Sequence, residues 1–124
     1  MITGVGVDMV QIKRMDCWLK NPKLLQRYFH PDELSYAMSL GNNTAQTLAA
    51  RFAAKEAFGK ALGTGLSNLS LKEIMVVNKS NGKPEMKLFG TAKEALYKSG
   101  ADRIHISLTH ERENAVAMVI LEGV

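Results

Sequence analysis

Glu56 and Lys60 stand four residues apart in a stretch, residues 44–62, built largely of alanine, leucine and phenylalanine. Read as a helix at about 100° per residue, this stretch gathers Leu48, Phe58 and Leu62 on one side, with Arg51 and Lys55 among them. Glu56 falls among Ala49, Phe52 and Ala53, and Lys60 follows one turn on. An amphipathic helix keeps its charges opposite its apolar stripe. Here charges enter both stripes, and a charge buried without a partner is costly, so each needs a counter-ion or a ligand. The plainer alternative is that Glu56 and Lys60 form an exposed i,i+4 pair worth about 0.2–0.5 kcal/mol. The small alanines beside Glu56 leave room for something to sit there.

A second carboxylate, Asp8, follows the apolar run at residues 2–7. It is placed either to act chemically at a strand end or to cap the next helix. Two carboxylates suit a hard divalent cation such as Mg²⁺, which is held by one or two of them while water and substrate phosphates complete its shell. Lys60, Arg51 and the loop Gly63-Thr64-Gly65 would add phosphate-binding groups, although that loop follows a helix and reads as its C-cap rather than as a phosphate cradle. His110 ends a strand beside the Ser107 and Thr109 hydroxyls, where a lone histidine is more often structural or solvated than functional. Nothing matches HExxH, a Walker motif or a GxSxG elbow. The residues by themselves point to metal-and-phosphate chemistry.

The elements that must position these groups follow from periodicity and punctuation. Residues 2–7 read as a strand with Gly4 and Gly6 on one face, a flat strip that another backbone or helix can approach closely. Residues 11–20 read as a helix along Ile12, Met15 and Leu19. Asn21-Pro22 breaks it, a short helix passes through Leu24, Leu25 and Tyr28, and Pro31 opens the next helix, over 32–40. Thr44 is expected to cap the long helix. Residues 71–77 and 84–89 read as strands around the turn 79–82, which carries the Asn-Gly hairpin signal. Thr91 to Glu94 has the form of a capping box, opening a helix that Gly100 closes. Residues 104–109 alternate as a strand, and a last strand spans 115–121. The expected class is α+β, a largely antiparallel sheet packed with helices.

At 124 residues the chain is expected to form a single domain, 1–124, with a core of its own. One cysteine, Cys17, leaves no internal disulfide framework. No apolar run approaches the ~20 residues of a membrane span, and the start lacks the basic and apolar regions of a signal peptide. The expectation is a cytoplasmic protein without a membrane partner. Of the formal net charge of +4, three charges come from the first thirty residues, where Lys13, Arg14, Lys20, Lys23 and Arg27 oppose Asp8 and Asp16. Such a stripe attracts acidic proteins, polyanions or phosphorylated ligands, or simply keeps a helix face solvated. No recognised nucleic-acid motif accompanies it, and none is expected as a partner. Two readings stand at this point: an enzyme, or a small basic module that docks an acidic protein or nucleic acid without chemistry.

Taken together, Gly4-Val-Gly-Val-Asp8 followed by Arg14, Arg51-Phe-Ala-Ala-Lys-Glu-Ala57 continuing through Lys60-Ala-Leu-Gly-Thr-Gly65, Asn81-Gly-Lys-Pro84 and Ser107-Leu-Thr-His110 resemble the holo-acyl-carrier-protein synthases, the small phosphopantetheinyl transferases. The resemblance covers essentially the whole chain and implies that family's fold. It implies transfer of the 4'-phosphopantetheine arm of coenzyme A to a serine of apo-acyl carrier protein, with Mg²⁺, releasing adenosine 3',5'-bisphosphate in support of fatty acid biosynthesis. By the same resemblance Asp8 and Glu56 match the metal ligands, and Lys60 a pyrophosphate-contacting lysine. Arg51, Gly82, Lys83, Pro84 and His110 become candidates for binding coenzyme A, and Arg14 for docking the carrier. The resemblance also implies a homotrimer, in which His110 and the 81–84 turn face Asp8 and Glu56 of a neighbouring chain. Gln11 stands where an acidic residue is frequent, and Gly59 where serine is expected.

Overall fold

The computed structural model, which describes residues 1–124, begins with strand β1 (Ile2–Gln11). Three short helices follow: α1 (Arg14–Trp18), α2 (Pro22–Tyr28) and α3 (Pro31–Met38). A 3₁₀ turn at Gly41–Asn43 leads into the long helix α4 (Thr44–Leu62). The hairpin β2 (Ile74–Asn78) and β3 (Pro84–Leu88) comes next, then α5 (Gly90–Lys98), β4 (Arg103–His110) and β5 (Asn114–Glu122). The architecture is α+β, as the residue pattern implies. The strands form two antiparallel sheets rather than one: β1-β5-β4, and the separate pair β2-β3.

Backbone pairing explains the first departure from expectation. Strand β1 does not stop at Asp8 but runs on to Gln11, because β5 offers partners along its whole length, with Asp8 opposite Ala117 and Gln11 opposite Asn114. Asp8 is therefore a residue within a strand, not a helix cap, and α1 begins three residues later than the expected helix and spans only Arg14–Trp18. Strand alternation then puts Gly4, Gly6, Asp8 and Val10 on one face of the sheet, with Leu121, Val119, Ala117 and Ala115 beside them on β5.

Helix α4 lies on that face. A methyl group on Gly4 or Gly6 would fall onto the carbonyl oxygens of Ala61 and Ala57, so the two glycines permit the close approach the sequence anticipated. Phe58, Leu48, Val10, Met15, Val119 and Leu121 close the core around the contact.

The caps differ from expectation. Thr44 is the first residue of α4 rather than its cap, and its hydroxyl donates to the Ala37 carbonyl at 2.7 Å. Helix α5 starts at Gly90, and Thr91 forms no capping box with Glu94; the Glu73 carboxylate accepts instead from the Thr91 amide at 3.1 Å and from its hydroxyl at 2.5 Å. Residues 71–73 form a 3₁₀ turn ahead of β2. The hairpin is not the two-residue type that Asn-Gly most often makes. Lys79 and Lys83 close a three-residue loop, with the Gly82 amide donating to the Lys79 carbonyl and only Gly82 at positive φ (86°), the form in which a turn is followed by a left-handed glycine.

Candidate active site

Helix α4 carries buried charges, and each has a distinct reason to be there. Lys55 is fully buried. Its ammonium donates to Glu33 Oε1 at 2.7 Å, to the Leu71 carbonyl at 2.9 Å and to the Ile74 carbonyl. The Glu33 carboxylate also accepts from the His30 amide at 3.0 Å and from the Val76 amide at 2.9 Å. Burial pushes the Lys55 pKa down, and Glu33 opposes it. A buried pair whose hydrogen-bonding capacity is filled in this way holds its elements in register, here α3, α4 and β2. The intrusion of Lys55 into the apolar stripe is thus structural, and it fixes the helix that presents Arg51 and Glu56.

On the β1 side of α4, Asp8 and Glu56 come together. Lys60 donates to Asp8 Oδ1 at 2.9 Å and to the Val7 carbonyl at 3.1 Å, so its partner is Asp8 and not Glu56. Desolvation raises the Glu56 pKa, the negative charge of Asp8 raises it further, and Lys60 and Arg14 oppose the shift. The hydrogen bond and charge of Asp8 raise that of Lys60. Arg14 reaches this cleft from α1. Its guanidinium lies 5.4 Å from the centre of the Trp18 ring and 5.5 Å from that of Phe52, within cation–π range. Trp18 and Phe52 meet edge to face at 4.8 Å, with Tyr28 against both. Phe52 precedes Glu56 by one turn of α4, so this aromatic shelf holds Arg14 beside the carboxylate.

Two half-buried carboxylates of like sign, one with its proton affinity raised by the other, form a donor set that fits a hard cation. No third His, Cys, Asp or Glu completes a cluster. An ion held here would therefore draw its remaining oxygens from water and substrate, as Mg²⁺ commonly does.

The other candidate residues gather elsewhere. A cavity of about 230 Å³ is lined by Tyr36, Arg51, Asn78, Gly82, Pro84 and His110, among others. Arg51 is 4% exposed, its Nε has no hydrogen-bond partner, and burial lowers its pKa. A buried cation in this state calls for an anion. Lys83 lies with Pro84 on a larger cavity, about 650 Å³, bordered by Lys93, Tyr97 and Arg103. That space contains neither carboxylate of the first cleft and none of its cations, so volume alone does not mark the chemistry.

Within one chain the two groups do not meet. Arg51 and Glu56 point about 140° apart around α4, and none of Asp8, Glu56 or Lys60 borders the Arg51 cavity. Asp8 and His110 share a face of the sheet but lie on its two outer strands, with β5 between them. Glu33, Tyr36 and Asn78 carry no motif that marks them in the sequence; their roles arise from pairings 22 to 43 residues away along the chain.

A family model described as the 4'-phosphopantetheinyl transferase superfamily matches residues 4–118. The chain belongs to that superfamily. It is 53% identical over 123 residues to a holo-[acyl-carrier-protein] synthase of Treponema denticola, an alignment covering 99% of this chain and 100% of the relative. Among solved structures, the holo-[acyl-carrier-protein] synthase of Neisseria meningitidis superposes with a TM-score of 0.87 at 36% identity, over 98% of this chain and 99% of that one. The Bacillus anthracis synthase, solved in complex with CoA (3',5'-ADP), superposes at 0.83 with 34% identity, over 100% and 99%. This phosphopantetheinyl transferase is accordingly an enzyme of the holo-acyl-carrier-protein synthase type. Its α+β fold is the one those structures share. No helix of the transferase is long and apolar enough to cross a membrane.

Proposed function

We propose that this chain, a single domain over residues 1–124, transfers the 4'-phosphopantetheine arm of coenzyme A to a serine of apo-acyl carrier protein in a Mg²⁺-dependent reaction. Adenosine 3',5'-bisphosphate leaves, and the product supports fatty acid biosynthesis in the cytoplasm. The observation that carries the reading is that one chain holds two groups of complementary chemistry, a carboxylate cleft at Asp8 and Glu56 and a buried, partnerless guanidinium at Arg51. The relatives' name and the coenzyme bound to the Bacillus anthracis synthase support the choice of substrates.

Asp8 and Glu56 are the metal ligands in this reading. Mg²⁺ held by Asp8 and Glu56 would supply neutralisation of charge on the pyrophosphate. The serine oxygen forms its new bond to the β-phosphorus as the bond to the leaving phosphate breaks and the hydroxyl proton passes to Glu56 or to water, a reaction that positioning and charge neutralisation largely govern. Lys60, half-exposed and one turn from Glu56, brings its ammonium to the pyrophosphate. Arg51 and His110 take coenzyme A phosphates, Gly82 and Pro84 form the wall of that pocket, and Lys83 flanks it.

The working unit is a homotrimer with its sites between adjacent chains. Val5, Val7, Met9 and Met118 are each more than two-fifths exposed, although the register sets them side by side across β1 and β5. A continuous apolar sheet face of this kind is what a second copy covers. Assembly also answers the separation of the half-sites, since the Arg51–His110 pocket of one chain can close over the Asp8–Glu56 cleft of the next.

The deciding experiment incubates the protein with coenzyme A, Mg²⁺ and apo-carrier protein and reads the carrier's mass. The expected result is the mass gain of the arm, abolished by a chelator. Absence of transfer together with tight DNA binding would leave a basic binding module instead.

Carrier docking belongs to the basic α1–α2 face, with Arg14 at its catalytic end. Arg14→Glu is expected to raise the KM for carrier protein at least about tenfold, through lost steering and lost contact, and to change the KM for coenzyme A much less. Steady-state kinetics with each substrate varied in turn makes the measurement; equal losses for both substrates contradict the docking role.

A further inference from the structure

Arg51 is a cation that the chain itself leaves unpaired. Glu33 is the acidic side chain whose charge reaches it, but the Glu33 carboxylate already accepts from Lys55, His30 and Val76. What Arg51 does have is a face. The Tyr36 ring lies 5.0 Å from the guanidinium carbon, within the distance at which a ring's negative face attracts a cation. The ring is itself tethered, because the Asn78 side-chain amide donates to the Tyr36 hydroxyl at 3.0 Å. Asn78 ends β2 opposite Pro84, the first residue of β3, so the tether reaches the hairpin that forms the far wall of the same 230 Å³ cavity. Tyr36, from α3, thereby joins helix α4 to the β2–β3 hairpin around the cavity.

Resting on the proposal that Arg51 binds a coenzyme A phosphate, we infer that Tyr36 is the positioning residue that holds the Arg51 guanidinium ready for it, with Asn78 fixing the ring. Arginine has several flexible torsions, and its donors act as a fork only when the guanidinium plane is set. Contact with a tethered ring restrains the guanidinium and leaves its Nε–H, which has no partner in the chain, for the anion. The arrangement contributes to phosphate binding in the ground state and in the transition state alike, so it acts on KM rather than on kcat.

The test is a double-mutant cycle on the full-length protein with coenzyme A as the varied substrate. Tyr36→Leu removes the ring and is expected to raise the KM for coenzyme A roughly five- to thirty-fold, with kcat within twofold and the KM for carrier protein unchanged. Tyr36→Phe keeps the ring, loses only the Asn78 tether, and is expected to fall between the parent and Tyr36→Leu; a KM equal to that of the parent removes Asn78 from the inference. In an Arg51→Met background, Tyr36→Leu is expected to add almost nothing, since both changes remove one interaction. A loss that falls on kcat, or that is as large in the Arg51→Met background as in the parent, overturns the positioning role. If Arg51→Met leaves the coenzyme A KM unchanged, the phosphate site itself is wrong. If Arg51→Met raises it while Tyr36→Leu does not, only the positioning inference falls. The carrier-protein KM and the thermal midpoint of each variant separate these outcomes from misfolding.

Discussion

Asp8→Ala and Glu56→Ala are each expected to lower Mg²⁺-dependent carrier modification by at least about 10²–10³-fold, the scale on which losing one preorganised electrostatic group acts on a transition state. Two features make the expectation large. Only two carboxylates line the cleft, so removing either leaves a bound ion with a single protein ligand. The charge they neutralise also grows on the leaving phosphate as the bond breaks, so the loss falls on turnover. For Glu56 the electrostatics favour survival of the fold: its folded pKa is raised, chiefly by burial and then by Asp8, so the folded chain binds the Glu56 proton more tightly than the unfolded chain. Stability from this group is therefore present at low pH and is lost as pH rises past the ordinary carboxylate range. At neutral pH an ionised Glu56 costs stability, and Glu56→Gln should keep or raise the thermal midpoint while abolishing turnover. The same direction bears on the acid limb of activity. Glu56 takes up its proton at a higher pH than an ordinary carboxylate, and protonation competes with the metal, so raising Mg²⁺ should move the acid limb of kcat/KM to lower pH. Retained Mg²⁺-dependent turnover in either alanine variant removes that residue from the metal site; an acid limb indifferent to Mg²⁺ breaks the link between Glu56 and the ion.

What could be read from the sequence was chemistry carried by local spacing. Gly4 and Gly6 alternate on one face because strand residues do, and the flat strip they leave is where α4 packs. The misplaced charges of residues 44–62 were visible at helical spacing, and Arg51, Lys55 and Glu56 each proved to need a partner. Which partner was not legible. Glu33 meets Lys55 from another helix, Glu73 replaces the expected capping box of α5 from a distant turn, and Asp8 sits within a strand because β5 pairs beyond it. Each of these is decided by long-range packing or pairing, which leaves no periodic trace near the residue concerned. The hairpin shows the same limit on a smaller scale. Asn81-Gly82 announced a turn, but the pairing of Lys79 with Lys83 chose the three-residue form. The candidate residues could be singled out from the sequence, and the family resemblance already set His110 and the 81–84 turn opposite Asp8 and Glu56 of a neighbour; that Arg51 shares a cavity with His110, away from the Asp8–Glu56 cleft, needed the fold.

That division gives the second large expectation. If each site takes Asp8, Glu56 and Lys60 from one chain and Arg51 and His110 from its neighbour, two differently disabled chains should repair each other. One chain carries Asp8→Asn with Glu56→Gln; the other carries Arg51→Met with His110→Ala. Each alone should be nearly inactive at a coenzyme A concentration well below the KM of the second. Co-expressed in equal amounts and assembled at random, they should regain about a quarter of parental activity, because a site between adjacent chains is intact when each contributes its undamaged half. A site completed within one chain predicts no recovery, since every chain in the mixture is damaged. Sedimentation fixes the assembly independently, with an expected mass three times the 13.6 kDa of the chain. The exposed apolar face supplies the means of control. Val7→Lys places an ammonium in the middle of the strip formed with Met118, where covering it by a second copy would bury an unpaired charge. That variant should sediment as a folded monomer and lose transfer although every proposed ligand remains in place. A trimer that persists in Val7→Lys removes the sheet face from the interface. A fully active monomer removes the shared site altogether, and Arg51 would then need its anion from within a cavity that the carboxylate cleft does not reach.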